Sequence, residues 1–260
     1  YEIASCLVGS EMCIRDRSTG VPQIGCHCEV CCSTDLCDKR LRTSAMLSLD
    51  NGAHILIDCG PDFRQQMLRW PYDKIDAALI THAHYDHVGG IDDLRPFSFR
   101  KSIDIYANER CAHNLKQRIP YCFAEKKYPG VPNISLHGLS ELKPFCVAGV
   151  EVVPVEVLHD QLPIWGYRIG GMAYITDMSS ISSDEMLKLD GVKLLVINAL
   201  RHTLHHSHQS LSQALQVIDK ANAQTAYLVH MSHEMGLHAI VDKSLPPHVH
   251  LAYDGLEVEW

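Results

Sequence analysis

Three imidazoles and a carboxylate fall within six residues at His82-Ala83-His84-Tyr85-Asp86-His87, directly after the apolar run 75–81, IDAALIT. Burying such groups without partners is costly, so a chain that uses this string must either solvate it or give its members something to share. In extended backbone His82 and His84 project to the same side. Asp86 and His87 sit where the chain turns through Val88-Gly89-Gly90. That geometry feeds two adjacent cations, His82 and His84 toward one, Asp86 and His87 toward the other. The alternative is a polar turn with adventitious metal affinity.

The remainder of the chain repeats one pattern. Short β-branched apolar runs recur, and five of them end in His or Asp: 53–57 runs into Asp58, 75–81 into His82, 150–158 into His159, 172–176 into Asp177 and 225–229 into His230, while 193–197 runs into Asn198. A sheet delivers strand-end residues to one edge with rigid spacing, which suits a pre-organised site. Helices are predicted over 62–68, 109–118, 183–188 and 211–221, the last with Leu211, Leu215 and Ile218 at helical spacing. Strands alternating with helices predict a layered α/β or α+β body.

The chain has 17 His and 11 Cys, and Cys26, Cys28, Cys31, Cys32 and Cys37 crowd into twelve residues. An odd count in a chain of this length argues against a secreted disulfide framework and for metal in a reducing, cytoplasmic compartment. Three thiols in Gly25-Cys26-His27-Cys28-Glu29-Val30-Cys31 favour tetrahedral zinc and need one distant ligand. The segment HMSH offers it, because His230 and His233 stand three apart after a strand and can face different metals across a turn. A redox pair, three buried thiols, or a register that takes in Cys32 or Cys37 are the competing arrangements. No apolar run approaches the roughly 18 residues of a membrane span. A net charge of −8 argues against broad adhesion to nucleic acid or anionic membrane. The basic stretch from Arg95 to Lys127 would either guide an anionic substrate or form a solvated helical face. Residues 1–17 carry charges throughout and no apolar stretch long enough for a signal sequence, so no targeting address is expected.

With its HxHxDH string, and with His159, Asp177 and His230 following in order, the chain resembles the metallo-β-lactamase superfamily. The resemblance implies an α+β fold, an αββα sandwich of two packed mixed β-sheets flanked by helices. It also implies two divalent ions, zinc or manganese: His82, His84 and His159 on the first, Asp86, His87 and His230 on the second, and Asp177 bridging both. Asp58 in LIDCGPD matches an earlier family Asp and is expected to orient an imidazole; the alternative is a turn-forming Asp before Gly60-Pro61. The CxCxxC loop and HxxH segment are similar to the PhnP-like phosphodiesterase branch, which implies a structural zinc on Cys26, Cys28, Cys31 and His233. Related hydrolases place a substrate-facing histidine before a helix. In the run from His202 to His208 the best match is His208, with His206 two residues away. Through STGVPQIGC, RLRTSA, THAHYDHVGGIDDLRP, YITD and HMSHEMG the resemblance covers residues 18–260, expected as a single hydrolase domain. Residues 1–17 look foreign to it, as an assembly- or adapter-derived segment would. CLVGSEMCIRDR stands where the family has its first strand, so one sheet is expected to lose an edge.

The activity so implied is a metal-dependent phosphodiesterase acting on small cyclic or nucleotide-like phosphodiesters. A hydroxide shared by ions about 3.5–4 Å apart would attack phosphorus in line, Asp86 would orient it, and His208 would serve the leaving oxygen or the phosphate. An RNA 3′-processing nuclease, a lactam or thioester hydrolase, and a di-iron oxidoreductase are the alternatives. The expected partner is a small phosphodiester, with no stable nucleic-acid complex and no membrane. A homodimer is allowed.

Overall fold

Strands form where β-branched runs can be buried on both faces, and the burial record alternates accordingly. Met46, Leu56 and Ala78 point one way, and Leu47, Ile55, Ile57 and Leu79 the other, all essentially without solvent contact. The computed structural model describes residues 11–15, 20–69 and 71–260. Its first sheet contains β1 (Glu11–Arg15), β2 (Ser44–Ser48), β3 (His54–Ile57), β4 (Ala77–Leu79), β5 (Ile103–Asn108) and β6 (Ile134–Leu139). The second contains β7 (Phe145–Val147), β8 (Val150–His159), β9 (Leu162–Ile169), β10 (Met172–Ile175), β11 (Ser180–Ile181), β12 (Leu194–Asn198), β13 (Thr225–Val229) and β14 (Val249–Leu251). The last strand, β15 (Leu256–Glu259), returns to the first sheet. Among the described residues the orders are β15-β1-β2-β3-β4-β5-β6 and β11-β8-β9-β10-β12-β13-β14, with β7 on β8.

Helices α1 (Glu29–Cys32), α2 (Phe63–Arg69), α3 (Tyr85–Val88), α4 (Glu109–Arg118), α5 (Ser183–Leu187), α6 (Leu211–Lys220) and α7 (His238–Val241) supply the outer layers. One core lies between the sheets, around Leu47, Ile57, Leu79, Tyr167, Tyr174 and Val196. A second packs α6, through Ala214, Val217 and Ile218, under Leu195 and Ile197. A third packs α4, through Cys111 and Leu115, under Ile105 and Ala78. The αββα sandwich of two mixed sheets is therefore the architecture. No helix among the described residues is long and apolar enough to cross a membrane.

The strand directions explain where the ligand-type residues go. β3 and β4 run parallel, as do β10, β12 and β13, while β8 is antiparallel to β9 and β9 to β10. The C-terminal ends of β3 and β4 in one sheet, and of β8, β10, β12 and β13 in the other, therefore open onto one rim, the usual place for a site in parallel sheets.

One expectation is corrected. Glu11–Arg15 does not leave the sheet a strand short: it pairs antiparallel with both β2 and β15. Backbone donors and acceptors exposed on β2 and β15 are satisfied by any extended segment of matching length, whatever its side chains. The expectations for residues 1–10 and 16–19 lie outside the described residues.

Two contacts fix the loops behind the rim. Gly60 and Gly90 touch backbone to backbone: a Cβ at Gly90 would overlap the Gly60 carbonyl, and one at Gly60 would overlap the Asp86 carbonyl. The approach is held by Cys59 N–H donating to His87 O at 2.7 Å and Gly90 N–H donating to Cys59 O at 2.8 Å. Beside it, the Arg42 guanidinium grips Asp62 through two side-chain bonds of 2.8 and 2.6 Å, and the Arg42 backbone N–H adds a third at 2.8 Å. Burial raises the Asp62 carboxyl, but the Arg42 hydrogen bonds outweigh it and hold the group below the usual carboxylate range. Asp62→Asn should therefore destabilise the fold by about 1–3 kcal/mol at pH 7. Because the folded-state value is depressed, the difference should be complete above about pH 4 and close as acid titrates the folded carboxyl. Urea midpoints of the two proteins across that range check both the size and the trend.

Candidate metal centre

Three of the strand-end residues leave their strands in left-handed backbone: Asp58 at φ 58, Asp177 at φ 56 and His230 at φ 58. Such angles are uncommon for residues other than glycine. Each costs on the order of 1 kcal/mol or more and persists where surroundings over-determine it. Here the strained residue is in each case the one that carries the functional side chain.

Two groups of donors result, each with its ligand atoms within 4.8 Å of one another: His82, His84, His159 and Asp177, and Asp86, His87, Asp177 and His230. Asp177 belongs to both. His82, His87, His159, Asp177 and His230 are buried, Asp86 is half-buried, and His84 is exposed at the mouth. His230 Nε2 lies 3.1 Å from Asp177 Oδ1. His87 Nε2 lies 3.2 Å from both Asp86 Oδ2 and Asp177 Oδ2, and His82 Nε2 lies 3.4 Å from Asp177 Oδ2.

The opposite ring nitrogens of His82, His87 and His159 are spoken for. Asp58 accepts from the Thr81 N–H and hydroxyl, each at 2.8 Å, and from His87 Nδ1 at 2.7 Å. Since the Thr81 hydroxyl donates to Asp58, it accepts from His82 Nδ1 at 3.0 Å. His159 Nδ1 donates to the carbonyls of Asp177 and Ser207 at 2.8 and 2.9 Å. Each ring is thus held with Nε2 turned inward as a free donor, the orientation a metal-ligating histidine requires.

The donor set passes the test for divalent cations on its own geometry. His82 Nε2 and His87 Nε2 are buried and make no hydrogen bond, although carboxylate oxygens stand within 3.4 Å. Lone pairs and anionic oxygens converge there without a proton-sharing arrangement, as they do around a cation. The charges are correspondingly displaced. Burial works against the ionised form of Asp177, but His230 and His87 hold it well below the carboxylate range. Asp86 is lowered too, against its burial, by His87 and His230. Burial lowers His87, yet Asp177, Asp86 and Asp58 together push it well up. His82, with desolvation first and His87 second, goes well down.

His208 stands over both groups. Its ring stacks on His230 at 4.9 Å and meets His159 edge-on at 4.7 Å, and its Nε2 lies 3.7 Å from Asp177 Oδ2. Burial pushes it down to about 4. His206 is exposed and packs on His205 instead. Two positioning residues carry weaker sequence signals. Thr81 reads as the last residue of a strand. Asn198 closes another strand, and its side chain clamps Met178, next to Asp177, by accepting from its N–H at 2.8 Å and donating to its carbonyl at 3.0 Å.

Away from the rim, the sulfurs of Cys26, Cys28 and Cys31 lie within 4.8 Å of one another. Cys28 Sγ accepts from the Cys31 N–H and Cys31 Sγ from the Gln23 N–H, both at 3.4 Å. The first of these bonds holds the Cys28 thiol below its usual value. Cys32 and Cys37 stand outside the group, and all five cysteines of this loop are free of disulfides. The turn His233–Met235 packs on α1, which places His233 beside the cysteine loop, though its ring is not within that 4.8 Å group.

A sequence model of the beta-lactamase superfamily domain matches residues 53–231. An octanoyltransferase of Porphyromonas gingivalis is 46% identical over 241 residues, 92% of this chain and 49% of that protein, so the chain spans about half the length of this relative. Among solved structures, a diphosphatase from the PhnP family superposes with a TM-score of 0.91 at 38% identity, covering 98% of each chain. Zn(2+)-bound PqqB from Methylobacterium extorquens superposes at 0.77 with 19% identity, covering 96% of this chain and 100% of its own, a likeness of fold.

The hydrogen bonds of Asp58 give the first test of the centre. Asp58→Asn offers an amide N–H where either Thr81 or His87 needs an acceptor. Divalent-metal affinity should fall about 10–100-fold while the far-ultraviolet spectrum stays that of the parent. Competition against a chromophoric chelator measures it, and equal affinities would remove Asp58 from the support of the centre.

Proposed function

The chain belongs to the metallo-β-lactamase superfamily, on the branch that holds the PhnP family, and from that premise we propose a dinuclear metal-dependent phosphodiesterase acting on small cyclic or nucleotide-like phosphodiesters. The observation that carries this reading is the pair of donor groups sharing Asp177, both opening at one rim. His82, His84 and His159 would hold one divalent ion, and Asp86, His87 and His230 a second. Imidazole and carboxylate without thiolate suit zinc or manganese. When bound, such ions lower the pKa of water toward neutrality and neutralise charge developing on phosphoryl oxygens.

The chain's own residues supply the rest. Asp86 and Asp177 fix the position and direction of the attacking water. His208, over both donor groups, would hydrogen-bond the phosphate or pass a proton to the leaving oxygen. Exposed His84 marks the side from which substrate arrives. A phosphodiester matches this equipment because its displacement needs charge neutralisation and a placed nucleophile but no covalent intermediate. The diphosphatase relative at 38% identity favours a second reading on the same site, cleavage at a diphosphate linkage, which uses the same in-line displacement. The three clustered thiols with His233 would hold a structural zinc and take no part in the chemistry.

His84→Ala should abolish turnover of bis(p-nitrophenyl) phosphate by metal-loaded protein, and undiminished turnover would remove the dinuclear mechanism. Hydrolysis of nitrocefin in preference to the phosphodiester would replace the reading with a lactamase. Elemental analysis should find about three metals per chain and one fewer in Cys28→Ser. Two in both proteins would overturn the structural zinc.

A further inference from the structure

The loop from β12 to α6 carries His202, His205, His206 and His208, of which the hydrolytic reading uses only His208. His202 has a structural task, since its Nε2 donates to the Met235 carbonyl at 2.8 Å. His206 is exposed. His205 remains, and it stands behind His208. The two Nδ1 atoms are 3.3 Å apart, and the Ser207 hydroxyl lies 3.0 Å from that of His208 and 3.3 Å from that of His205.

The direction of these bonds follows from the backbone outward. The Ser207 N–H reaches His205 Nδ1 at 3.3 Å, and a backbone N–H can only donate. His205 Nδ1 is therefore a lone pair. A second lone pair facing it across 3.3 Å would repel, so the proton of that contact sits on His208 Nδ1. The Ser207 hydroxyl fits the same order, accepting from His208 and donating to His205. His208 is thus the tautomer protonated at Nδ1. Its Nε2 is turned to the rim, 3.7 Å from Asp177 Oδ2, and makes no hydrogen bond among the described residues.

The loop is held by other bonds. Arg201 pairs with Glu234 at 2.7 Å and donates to the Leu204 carbonyl at 3.2 Å, and the Leu200 N–H donates to the Gln209 carbonyl at 2.9 Å. His159 donates to the Ser207 carbonyl, and Ser210 caps α6. Stacking on His230 at an interplanar angle of 13° fixes the plane of the His208 ring but not which edge faces the rim. A half-turn of the ring would keep the stack and exchange the edges. Only an acceptor at Nδ1 decides between them.

We propose that His205 is a positioning residue for His208, the acceptor that fixes its tautomer and keeps Nε2 aimed at the scissile phosphate. The proposal rests on the role given to His208 above. A carboxylate often takes this part beside a working histidine. Here an imidazole takes it and adds no negative charge beside Asp86 and Asp177. Because His208 Nδ1 keeps its acceptor whether or not Nε2 carries a proton, the ring need not turn during turnover.

Long-range proton–nitrogen correlation spectra of zinc-loaded protein with isotope-labelled histidine test it, because they show which nitrogen of each ring carries the proton. The signals lost in His208→Ala identify that ring. The parent should show His208 protonated at Nδ1. In His205→Ala the Ser207 hydroxyl, which donates as readily as it accepts, should leave a mixture of tautomers. His205→Asn, whose Oδ1 can stand in for Nδ1, should restore the parent state. With bis(p-nitrophenyl) phosphate, His205→Ala should lower kcat about tenfold and leave KM within about twofold, and His205→Asn should recover most of the loss. Added to His208→Ala, His205→Ala should cost nothing further, since it acts only through that ring. A parent protonated at Nε2, a tautomer unmoved by His205→Ala, or a loss that adds in full to that of His208→Ala would each overturn the proposal. If the parent hydrolyses no phosphodiester, the phosphodiesterase reading fails and the spectra alone decide: a mixture in His205→Ala supports the positioning role, and an unchanged tautomer overturns it.

Discussion

A wholly buried carboxylate holds the centre together. Asp58 has no solvent, and burial alone raises its carboxyl, yet three donors converge on it from Thr81 and His87. A buried charge is tolerated only when its oxygens are fully engaged. The engagement ties the end of β3 to the end of β4 and sets two imidazoles at once: His87 directly, and His82 through the Thr81 hydroxyl. Remove the carboxylate, and the rings lose the bonds that decide which nitrogen faces the cavity.

Around that anchor the fold works by alignment. Parallel pairing brings the ends of β3 and β4 to the rim from one sheet, and those of β10, β12 and β13 from the other. Left-handed backbone at Asp58, Asp177 and His230 then ends each strand abruptly, so the functional side chain lies at the rim and not one residue beyond it. The Gly60–Gly90 contact presses the loop after β3 against the loop that carries Asp86 and His87. A site of many ligands from separated segments thus depends on few adjustable torsions.

Much of this was legible in the sequence. β8, β10, β12 and β13 are β-branched runs ending in a ligand-type residue, and α4 and α6 show helical spacing between polar caps, so their positions could be read directly. β5 and β9 escaped for physical reasons. In β5 only alternate residues are buried, with Asp104 and Asn108 on the open face, and β9 is interrupted by Pro163 and Gly166. The four-residue helices α1, α3 and α7 are too short to show a period. The seven donors of the centre could be named from spacing and resemblance together, but the supports of Asn198 and Thr81 could not, since each depends on a partner far along the chain or on a hydroxyl's direction. Nor could Arg110 be separated from its basic neighbours, because only the fold shows which of those charges shares a wall with His84.

The arrangement of charge completes the picture. The chain is acidic overall, and Asp86 and Asp177 lie among imidazoles, with the Thr176 hydroxyl donating to Asp177 at 2.8 Å. An arginine placed among those carboxylates would neutralise them and displace any cation, since a bidentate guanidinium is a strong competitor for both oxygens. The chain keeps the two apart: Arg42 is occupied by Asp62 on the far side of the Gly60 loop, and Arg201 by Glu234 at 2.7 Å. Arg110 and Arg118 are held out on α4, facing a cavity from across His84. The packing of Cys111 and Leu115 under the first sheet holds α4, and with it these guanidiniums, at a fixed separation from the carboxylates of the rim.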